Sequence, residues 1–298
     1  MKSEKIPVGL FHGLNTIDIQ FLLDHYPAVN SKTKARKNGI YVGGPATNAS
    51  VAFSWLKGKS LLISPVGMHH FTSFISGELY SKDIILLDPI ASIKTEPTFA
   101  SIVSNADSGD RTVFSYHPSS HEYQYNALPY DSLNDIDIVL LDGFYMKRAI
   151  EIARMANEQN IPVVLDGGSW KEGMEELLPL INIAICSSDF FPSGTAKVEE
   201  VFDFLMNKGI NKIAVTRGKN PIYFSRNGGM EEIEIQKINA MDTLGAGDFF
   251  HGAFCYFYAK NGHFQEALQK ASKIATLSCT AFGTREWLNT SPVGPEFK

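Results

Sequence analysis

The stretch Asp242-Thr243-Leu244-Gly245-Ala246-Gly247-Asp248 follows a predicted strand at residues 231–235 and opens a strongly apolar predicted helix. Gly245 and Gly247 remove side chains where backbone N–H groups would approach an anion, and the N-terminus of a helix attracts negative charge. Asp248 falls in the first helical turn, where its carboxylate can accept a proton from a hydroxyl held beside those N–H groups. The stretch therefore predicts anionic chemistry at a helix start.

The same stretch also has a purely structural interpretation. Asp242 and Thr243 are good N-cap residues, glycine forms turns, and Asp248 could simply favour the helix dipole. Two other phosphate-binding motifs do not fit. Gly58-Lys59-Ser60 lacks the first glycine of a P-loop and precedes a strand, and Gly245-x-Gly247 is not followed by the third glycine of a dinucleotide-binding loop.

Outward from this stretch, short apolar runs rich in β-forming residues alternate with segments of helical period. The runs lie at residues 6–11, 61–66, 138–141, 161–165, 183–186 and 212–216, and the helical segments include 46–56, 147–159 and 198–207. Strands that are apolar on both faces and separated by helices predict a mostly parallel sheet covered by helices on both sides.

Two segments, at about residues 15–42 and 95–117, break this alternation because they lack helical period. The second contains two β-rich runs on either side of the turn residues Asp107, Ser108, Gly109 and Asp110, which predicts a hairpin. We expect both segments to form a small β lid on a single domain of residues 1–298. The last ten residues are expected to form a loose tail.

The composition limits the function classes. The 298 residues have a net charge of −5, which argues against non-specific binding to nucleic acid or to an anionic membrane surface. No apolar run is long enough to span a bilayer, and no leader follows Met1, so we expect a soluble, cytoplasmic protein. Cys186, Cys255 and Cys279 are widely spaced and form no metal or redox pair, in keeping with a reducing compartment.

Four motifs carry a resemblance to a known family. Residues 242–248 resemble the C-terminal signature of the ribokinase-like (PfkB) carbohydrate kinases, and Gly43-Gly44-Pro45-Ala46-Thr47-Asn48 resembles their N-terminal signature. Val215-Thr216-Arg217-Gly218 is similar to their nucleotide-lining strand and turn, and residues 271–281 with Gly283 resemble their adenine wall. The resemblance implies a three-layer α/β/α sandwich with a β lid that phosphorylates a sugar hydroxyl with ATP.

The resemblance also implies roles for individual residues. Asp248 corresponds to the catalytic base, and the amides of Gly245, Ala246 and Gly247 correspond to the anion hole. The residues implied in acceptor binding are Asp18, Gly43, Gly44, Asn48, Asn30 and Arg111, and those implied in nucleotide binding are Thr216, Gly218, Thr243, Ser188, Lys171, Ala275, Cys279 and Gly283.

Two of these assignments also follow from side-chain chemistry. A carboxylate at Asp18 and an amide at Asn48 supply the acceptor and the donor that fix the hydroxyls of a polyol, while Gly43 and Gly44 let the backbone approach it. The alternatives are that Asn48 only starts a helix and that Asp18 is an exposed lid carboxylate.

The chain departs from the family pattern at two places. Where relatives carry Asn-x-x-Glu near the metal, the chain reads Ser187-Ser188-Asp189-Phe190-Phe191, and Pro221 replaces a glycine of the nucleotide loop. Mg²⁺ is still expected with ATP, and Asp189 is either one of its ligands or a helix-capping acid. These departures motivate an alternative function, a non-catalytic sugar- or nucleoside-binding protein on the kinase fold.

The sequence leaves the chemical identity of the phosphoryl acceptor open. Asp24-His25-Tyr26-Pro27, Asp110-Arg111-Thr112 and Leu244 are similar to ketohexokinases, which favours a sugar. A nucleoside and an already phosphorylated sugar are the alternatives, and a monovalent cation such as K⁺ is a further possible cofactor. Similar enzymes pair through their lids, so a homodimer is expected.

Overall fold

The computed structural model describes residues 5–107, 109–118, 133–226 and 228–290. Within these residues the strands are β1 (Val8–His12), β2 (Thr16–Leu23), β3 (Lys37–Gly43), β4 (Lys59–Ile63), β5 (Ile84–Leu87), β6 (Phe99–Asn105), β7 (Arg111–Tyr116), β8 (Ile138–Leu141), β9 (Val163–Gly167), β10 (Ile183–Ser187), β11 (Lys212–Arg217), β12 (Asn220–Arg226) and β13 (Gly229–Ile233). The helices are α1 (Pro45–Trp55), α2 (Thr72–Tyr80), α3 (Met146–Glu158), α4 (Met174–Leu177), α5 (Val198–Asn207), α6 (Ala246–Asn261) and α7 (Phe264–Ser278).

Nine strands form one sheet in the order β13-β12-β11-β10-β9-β8-β1-β4-β5. Neighbouring strands are parallel except in the β11–β12 and β12–β13 pairs at one edge. The prediction of a mostly parallel sheet is therefore confirmed.

Successive side chains of a strand point to opposite faces of a sheet, so a strand that is apolar throughout has apolar groups on both faces. Helices cover both faces of this sheet. Leu10, Val139 and Leu141 pack in a core with α3, α4 and α5. Phe11 and Leu140 pack in a second core with α1, α2, α6 and α7. The two cores confirm the predicted three-layer sandwich.

A second, four-stranded sheet has the order β3-β2-β6-β7, in which β2 and β6 are parallel and the other pairs are antiparallel. The hairpin prediction is confirmed by β6 and β7, although Ser108 of its turn lies outside the described residues. One face of this lid sheet buries Asp18 and Gln20. The opposite face leaves exposed the side chains of Phe21, Ile40, Phe114 and Tyr116.

The C-terminal part of the chain departs from one prediction. The helical stretch expected at 271–281 ends at Ser278, and Cys279 follows as the C-cap residue. Gly283 has a φ of 78°, in the left-handed region that favours glycine, so the chain turns there. The predicted tail beyond Thr290 lies outside the described residues, and no described helix is long and apolar enough to cross a membrane.

Candidate active site

The start of α6 has the geometry of an anion site. Gly245 is its N-cap and has a φ of 75°, where a side chain would be strained. A Cβ added at Gly247 would meet nothing within 4 Å, so the space that a side chain would occupy there is open. The N–H of Ala246 already donates to the carbonyl of Thr243 at 3.3 Å, whereas no acceptor within the described residues takes the N–H groups of Gly247 and Asp248.

Asp248 lies in the first turn of α6, and Oδ2 of its carboxylate accepts a hydrogen bond from Asn48 Nδ2 at 2.8 Å. The two helices are close-packed, since a Cβ on Gly252 of α6 would lie 2.0 Å from the carbonyl oxygen of Ala49 on α1. Residues 200 positions apart thus meet at one site.

Burial raises the pKa of Asp248 to about 7, and the nearby carboxylate of Asp166 acts in the same direction. The Asn48 hydrogen bond and the electrostatic effects of His251 and Arg111 oppose this rise. A carboxyl group that titrates near neutral pH suits a general base that must take and release a proton.

Asp18 is buried beside the two predicted acceptor glycines. Its carboxylate accepts a hydrogen bond from Thr16 Oγ1, and burial raises its pKa to about 6. A Cβ at Gly43 would lie 1.9 Å from Asp18 Oδ2, and one at Gly44 would lie 2.2 Å from the carbonyl oxygen of Leu14. Neither glycine therefore has room for a side chain, and the contact of their backbone with a ligand stays a prediction.

The other two predicted acceptor residues lie in different surroundings. Arg111 of β7 donates from Nη1 to Thr243 Oγ1 at 2.7 Å, so a lid residue contacts the loop before α6. Asn30 is exposed in the connection between β2 and β3, with a φ of 58°. Within the described part of the chain, Asn30 has no hydrogen bond to the other predicted site residues.

The predicted nucleotide residues fall into separate groups. Ser188 and Thr216 meet at the carboxyl ends of β10 and β11, where the Ser188 N–H donates to the Thr216 carbonyl at 3.0 Å. Gly218 follows in a turn with a φ of 60°. This edge is where open parallel sheets bind ligands.

A second group lies at the end of α7. Ala275 is in its last turn, and the carbonyl of Cys279 accepts the N–H of Met241 at 2.8 Å. The Gly283 N–H donates to Asp242 Oδ2 at 2.8 Å, and a Cβ there would lie 2.1 Å from the hydroxyl of Tyr41 in the lid. Gly283 is thus enclosed by protein atoms.

Lys171 is oriented toward the end of β8. Its Nζ donates to the carbonyl of Asp142 at 3.2 Å and lies 4.7 Å from the ring centroid of Phe144. These contacts place Lys171 beside the connection that follows β8, whereas Ser188 and Thr216 lie at β10 and β11.

Four residues near the site were not predicted as site residues. Asp142 accepts the N–H groups of Leu14, Ala46 and Phe144, and so ties β1 to the start of α1. Asp166 Oδ2 lies 3.5 Å from Nδ1 of His251. Arg285 contacts Asn48.

Sequence signals existed for three of these four residues. Asp142 and Asp166 each come at the end of an apolar run, where parallel strands present their ligand-binding edge. His251 lies three residues after Asp248 on one helix face. No pattern singled out Arg285.

The described residues contain no group of three or more His, Cys, Asp or Glu side chains that could hold a metal ion. Asp189 is exposed next to Ser188, and its N–H donates to Ser187 Oγ at 3.1 Å. Since Mg²⁺ bound with a nucleotide needs only one or two protein carboxylates besides phosphate and water, one exposed acid at this edge fits its requirements.

A cavity of about 540 Å³ lies at the carboxyl ends of β1, β4 and β8, and its described lining does not include Asp18, Asn48 or Asp248. It is lined by the connection after β1, including Asn15, by Val66 and His69 after β4, and by Phe144 and Tyr145 after β8. His117, which follows β7 of the lid, stacks on Phe144 with the ring centroids 5.8 Å apart.

A three-layer sandwich with a small lid sheet and a carboxylate at the start of a late helix defines the ribokinase-like class of folds. The sequence model of the pfkB family of carbohydrate kinases matches residues 12–291, and the chain belongs to this family.

Individual kinases also resemble this chain in sequence or in fold. A deoxyribokinase of Salmonella typhi is 27% identical over 301 residues, which is 92% of each chain. The fold resembles that of an Arabidopsis thaliana ribokinase solved with ribose and ATP, with a TM-score of 0.74 at 20% identity over 96% of this chain and all of the other. An adenosine kinase of Sinorhizobium meliloti has a TM-score of 0.79 at 14% identity over 98% of each chain.

Proposed function

We propose that the chain is an ATP-dependent phosphotransferase that phosphorylates a hydroxyl group of a small sugar. The observation that carries this proposal is the contact of Asp248 with Asn48 at the N-terminus of α6, in front of open space at Gly247. A protein that only bound a sugar would need no base beside an anion site.

In this proposal Asp248 accepts the proton of the acceptor hydroxyl as the oxygen attacks the γ-phosphorus of ATP. The N–H groups of Gly245, Gly247 and Asp248 donate to the oxygens of the transferring group, where the helix N-terminus also favours negative charge. The N–H of Ala246 joins them by exchanging its bond to the Thr243 carbonyl for one to the phosphoryl group. Asp18, Asn48 and the backbone at Gly43 and Gly44 hold the acceptor hydroxyls. Asn30 and Arg111 contribute from the lid, which excludes water when it closes.

The nucleotide is proposed to lie along the edge formed by Ser188, Thr216 and Gly218, with Thr243 at its phosphates and Ala275, Cys279 and Gly283 toward its base. Mg²⁺ would neutralise phosphate charge during transfer, and Asp189 is its proposed protein ligand. Lys171 as a phosphate-facing cation and a K⁺ requirement stay predictions, as do a cytoplasmic location and a single domain over the whole chain.

The acceptor that the relatives favour is a pentose or a deoxypentose, since the Salmonella typhi relative is named a deoxyribokinase. The ketohexokinase-like acceptor stays a prediction. A nucleoside is the second candidate, because the cavity at the carboxyl ends of β1, β4 and β8 is lined by the stacked rings of Phe144 and His117, against which a base could pack.

The test is ADP release from Mg-ATP across pentoses, deoxypentoses, ketohexoses, phosphorylated sugars and nucleosides. Asp248→Asn serves as the control, with a turnover expected to fall by at least about 10² while acceptor binding survives. A strong Asp248-dependent response to one acceptor supports the kinase and identifies its substrate class. Melting-temperature shifts without turnover would instead support a binding protein.

A further inference from the structure

Arg285 carries a largely buried charge next to the proposed acceptor site. It follows α7, its side chain is 10% exposed, and its Nε pairs with Glu78 Oε1 of α2 at 2.7 Å. Its Nη1 donates to Asn48 Oδ1 at 3.0 Å, and its Nη2 donates to the carbonyl of Val42 in β3. The guanidinium therefore connects the C-terminal segment with both α1 and the lid.

The contact with Arg285 determines which way the Asn48 amide faces. A guanidinium can only donate hydrogen bonds, so the atom of Asn48 that it contacts must be the oxygen. The NH₂ group of Asn48 then points to the other side, where Nδ2 donates to Asp248 Oδ2 at 2.8 Å. An ionised carboxylate only accepts hydrogen bonds, so this orientation matches the ionised form of Asp248.

We propose that Arg285 is a positioning residue for phosphoryl transfer: it fixes the Asn48 amide with its NH₂ group toward Asp248 and so keeps the base in its ionised, acceptor form. This role rests on the proposed function, in which Asp248 is the base. It adds to that function a residue that touches neither the substrate nor the transferred group.

Without Arg285, the Asn48 amide can rotate and present Oδ1 to Asp248. A carboxyl group facing an oxygen acceptor is stabilised in its protonated form, so the base would be ionised only at higher pH. The other charged groups that face Asp248 are Asp166 at the end of β9, His251 on α6 and Arg111 on β7. Among the described residues none of these three has a hydrogen bond or ion pair with Arg285, whose charged neighbours include Glu78 and Asp18.

Arg285 and Glu78 also hold the lid strand, because Glu78 Oε2 accepts the N–H of Val42 at 2.9 Å while Arg285 donates to its carbonyl. A single Arg285 substitution would therefore leave Glu78 unpaired and could destabilise the fold. Glu78→Gln is the matched background, since it removes the ion pair and leaves the Arg285–Asn48 contact in place.

The experiment compares the pH–rate profile of Glu78→Gln with that of Glu78→Gln/Arg285→Met, using the best acceptor and saturating Mg-ATP. We expect the acid midpoint to move up by about one pH unit in the double variant, the size of one hydrogen bond to a carboxylate. Below this midpoint the turnover of the double variant should be about tenfold lower than that of Glu78→Gln, and the two variants should have nearly the same KM for ATP. Glu78→Gln/Arg285→Lys, which restores a donor-only group, should recover part of the shift.

Equal midpoints in the first two variants would overturn the role of Arg285. If the wild-type protein transfers no phosphate to any acceptor, or if its activity survives Asp248→Asn, the proposed function fails instead, and the two failures are thus distinguishable. If the double variant does not fold, ¹⁵N spectra of the wild-type protein decide: the Asn48 side-chain NH₂ signal should titrate with the acid midpoint, and a signal that does not titrate contradicts the proposal.

Discussion

Asp248 is subject to two opposing electrostatic effects. Removal from water and the proximity of Asp166 disfavour its charge, while the hydrogen bond from Asn48 and the electrostatic effects of His251 and Arg111 favour it. The balance leaves a carboxyl group with a pKa of about 7, well above its ordinary value of 3.8.

This balance predicts the pH dependence of the reaction. Because Asp248 must be ionised to accept a proton, kcat/KM should fall about tenfold for each pH unit below a midpoint near 7 and level off above it. Initial rates between pH 5 and 9 measure this profile. The pKa of Asp18 is also raised, to about 6, so Asp18→Asn is the control and should keep the midpoint near 7. A wild-type profile that is flat down to pH 5 would contradict the assignment of Asp248 as the base.

Among the site residues, the sequence indicated those that lie inside compact motifs. Asp248 was predicted from a helix start beside glycines, and Asn48 from a family signature and the hydrogen-bonding capacity of its amide; the structure brings the two together. Arg285 could not be recognised as a partner, because its role depends on a contact with Asn48 far along the chain. The spacing of His251 from Asp248 gave a signal, but its contact with Ile185 became visible only in the fold. Gly43 and Gly44 were recognised, but the steric reason for them became visible only in three dimensions.

At the scale of elements, the packing of α1 on α6 sets the distance between the base and its hydrogen-bonding partner. The backbones touch at Gly252 and Ala49, where a Cβ has no room. Contact between backbone atoms cannot relax by a change of side-chain rotamer, in contrast to most contacts in a core.

Gly252→Ala should therefore reduce both stability and turnover. We expect the free energy of unfolding to fall by about 1–3 kcal/mol, typical of an overpacked site, and kcat to fall with it as α1 moves away from Asp248. Gly77→Ala on the exposed face of α2 is the matched control, since its Cβ would meet nothing within 4 Å. That control should be as stable as the wild type or up to about 1 kcal/mol more stable; urea melts that rank the two variants alike would contradict the packing argument.

At the scale of the whole molecule, the lid sheet has two unlike faces. The inner face buries polar groups, whereas the outer face leaves Phe114 64% exposed and Ile40 51% exposed, next to Phe21 and Tyr116. Apolar side chains grouped on one face of a sheet favour contact with a second protein surface, and the homodimer expected from the sequence would cover them.

We therefore expect light scattering to give twice the chain mass of 32.9 kDa for the wild-type protein. Phe114→Glu should convert it to a monomer, because a charge at the centre of an apolar contact must be desolvated. Tyr80→Glu, at a residue that is 83% exposed on α2, is the control and should leave the mass unchanged. A wild-type monomer at micromolar concentration would disprove lid pairing.

The order of the elements could be predicted from the sequence, but their arrangement in space could not. All six apolar runs became strands of the main sheet, with ends at most three residues from the expected positions, because burial on both faces produces a strong apolar pattern. The position of β1 between β8 and β4 depends on which strand pairs exclude the most apolar surface from water. A single sequence without structure does not reveal that choice.

The contact between Arg285 and Asn48 also has a consequence for protein synthesis. A chain made from its N-terminus can begin to build α1 and the lid early, but the amide that faces the base is held by a residue added 237 positions later. Incomplete chains that stop before residue 285 would thus lack an oriented Asn48 even if much of the sheet had formed. Such chains should share the raised acid midpoint that is expected when Arg285 is replaced.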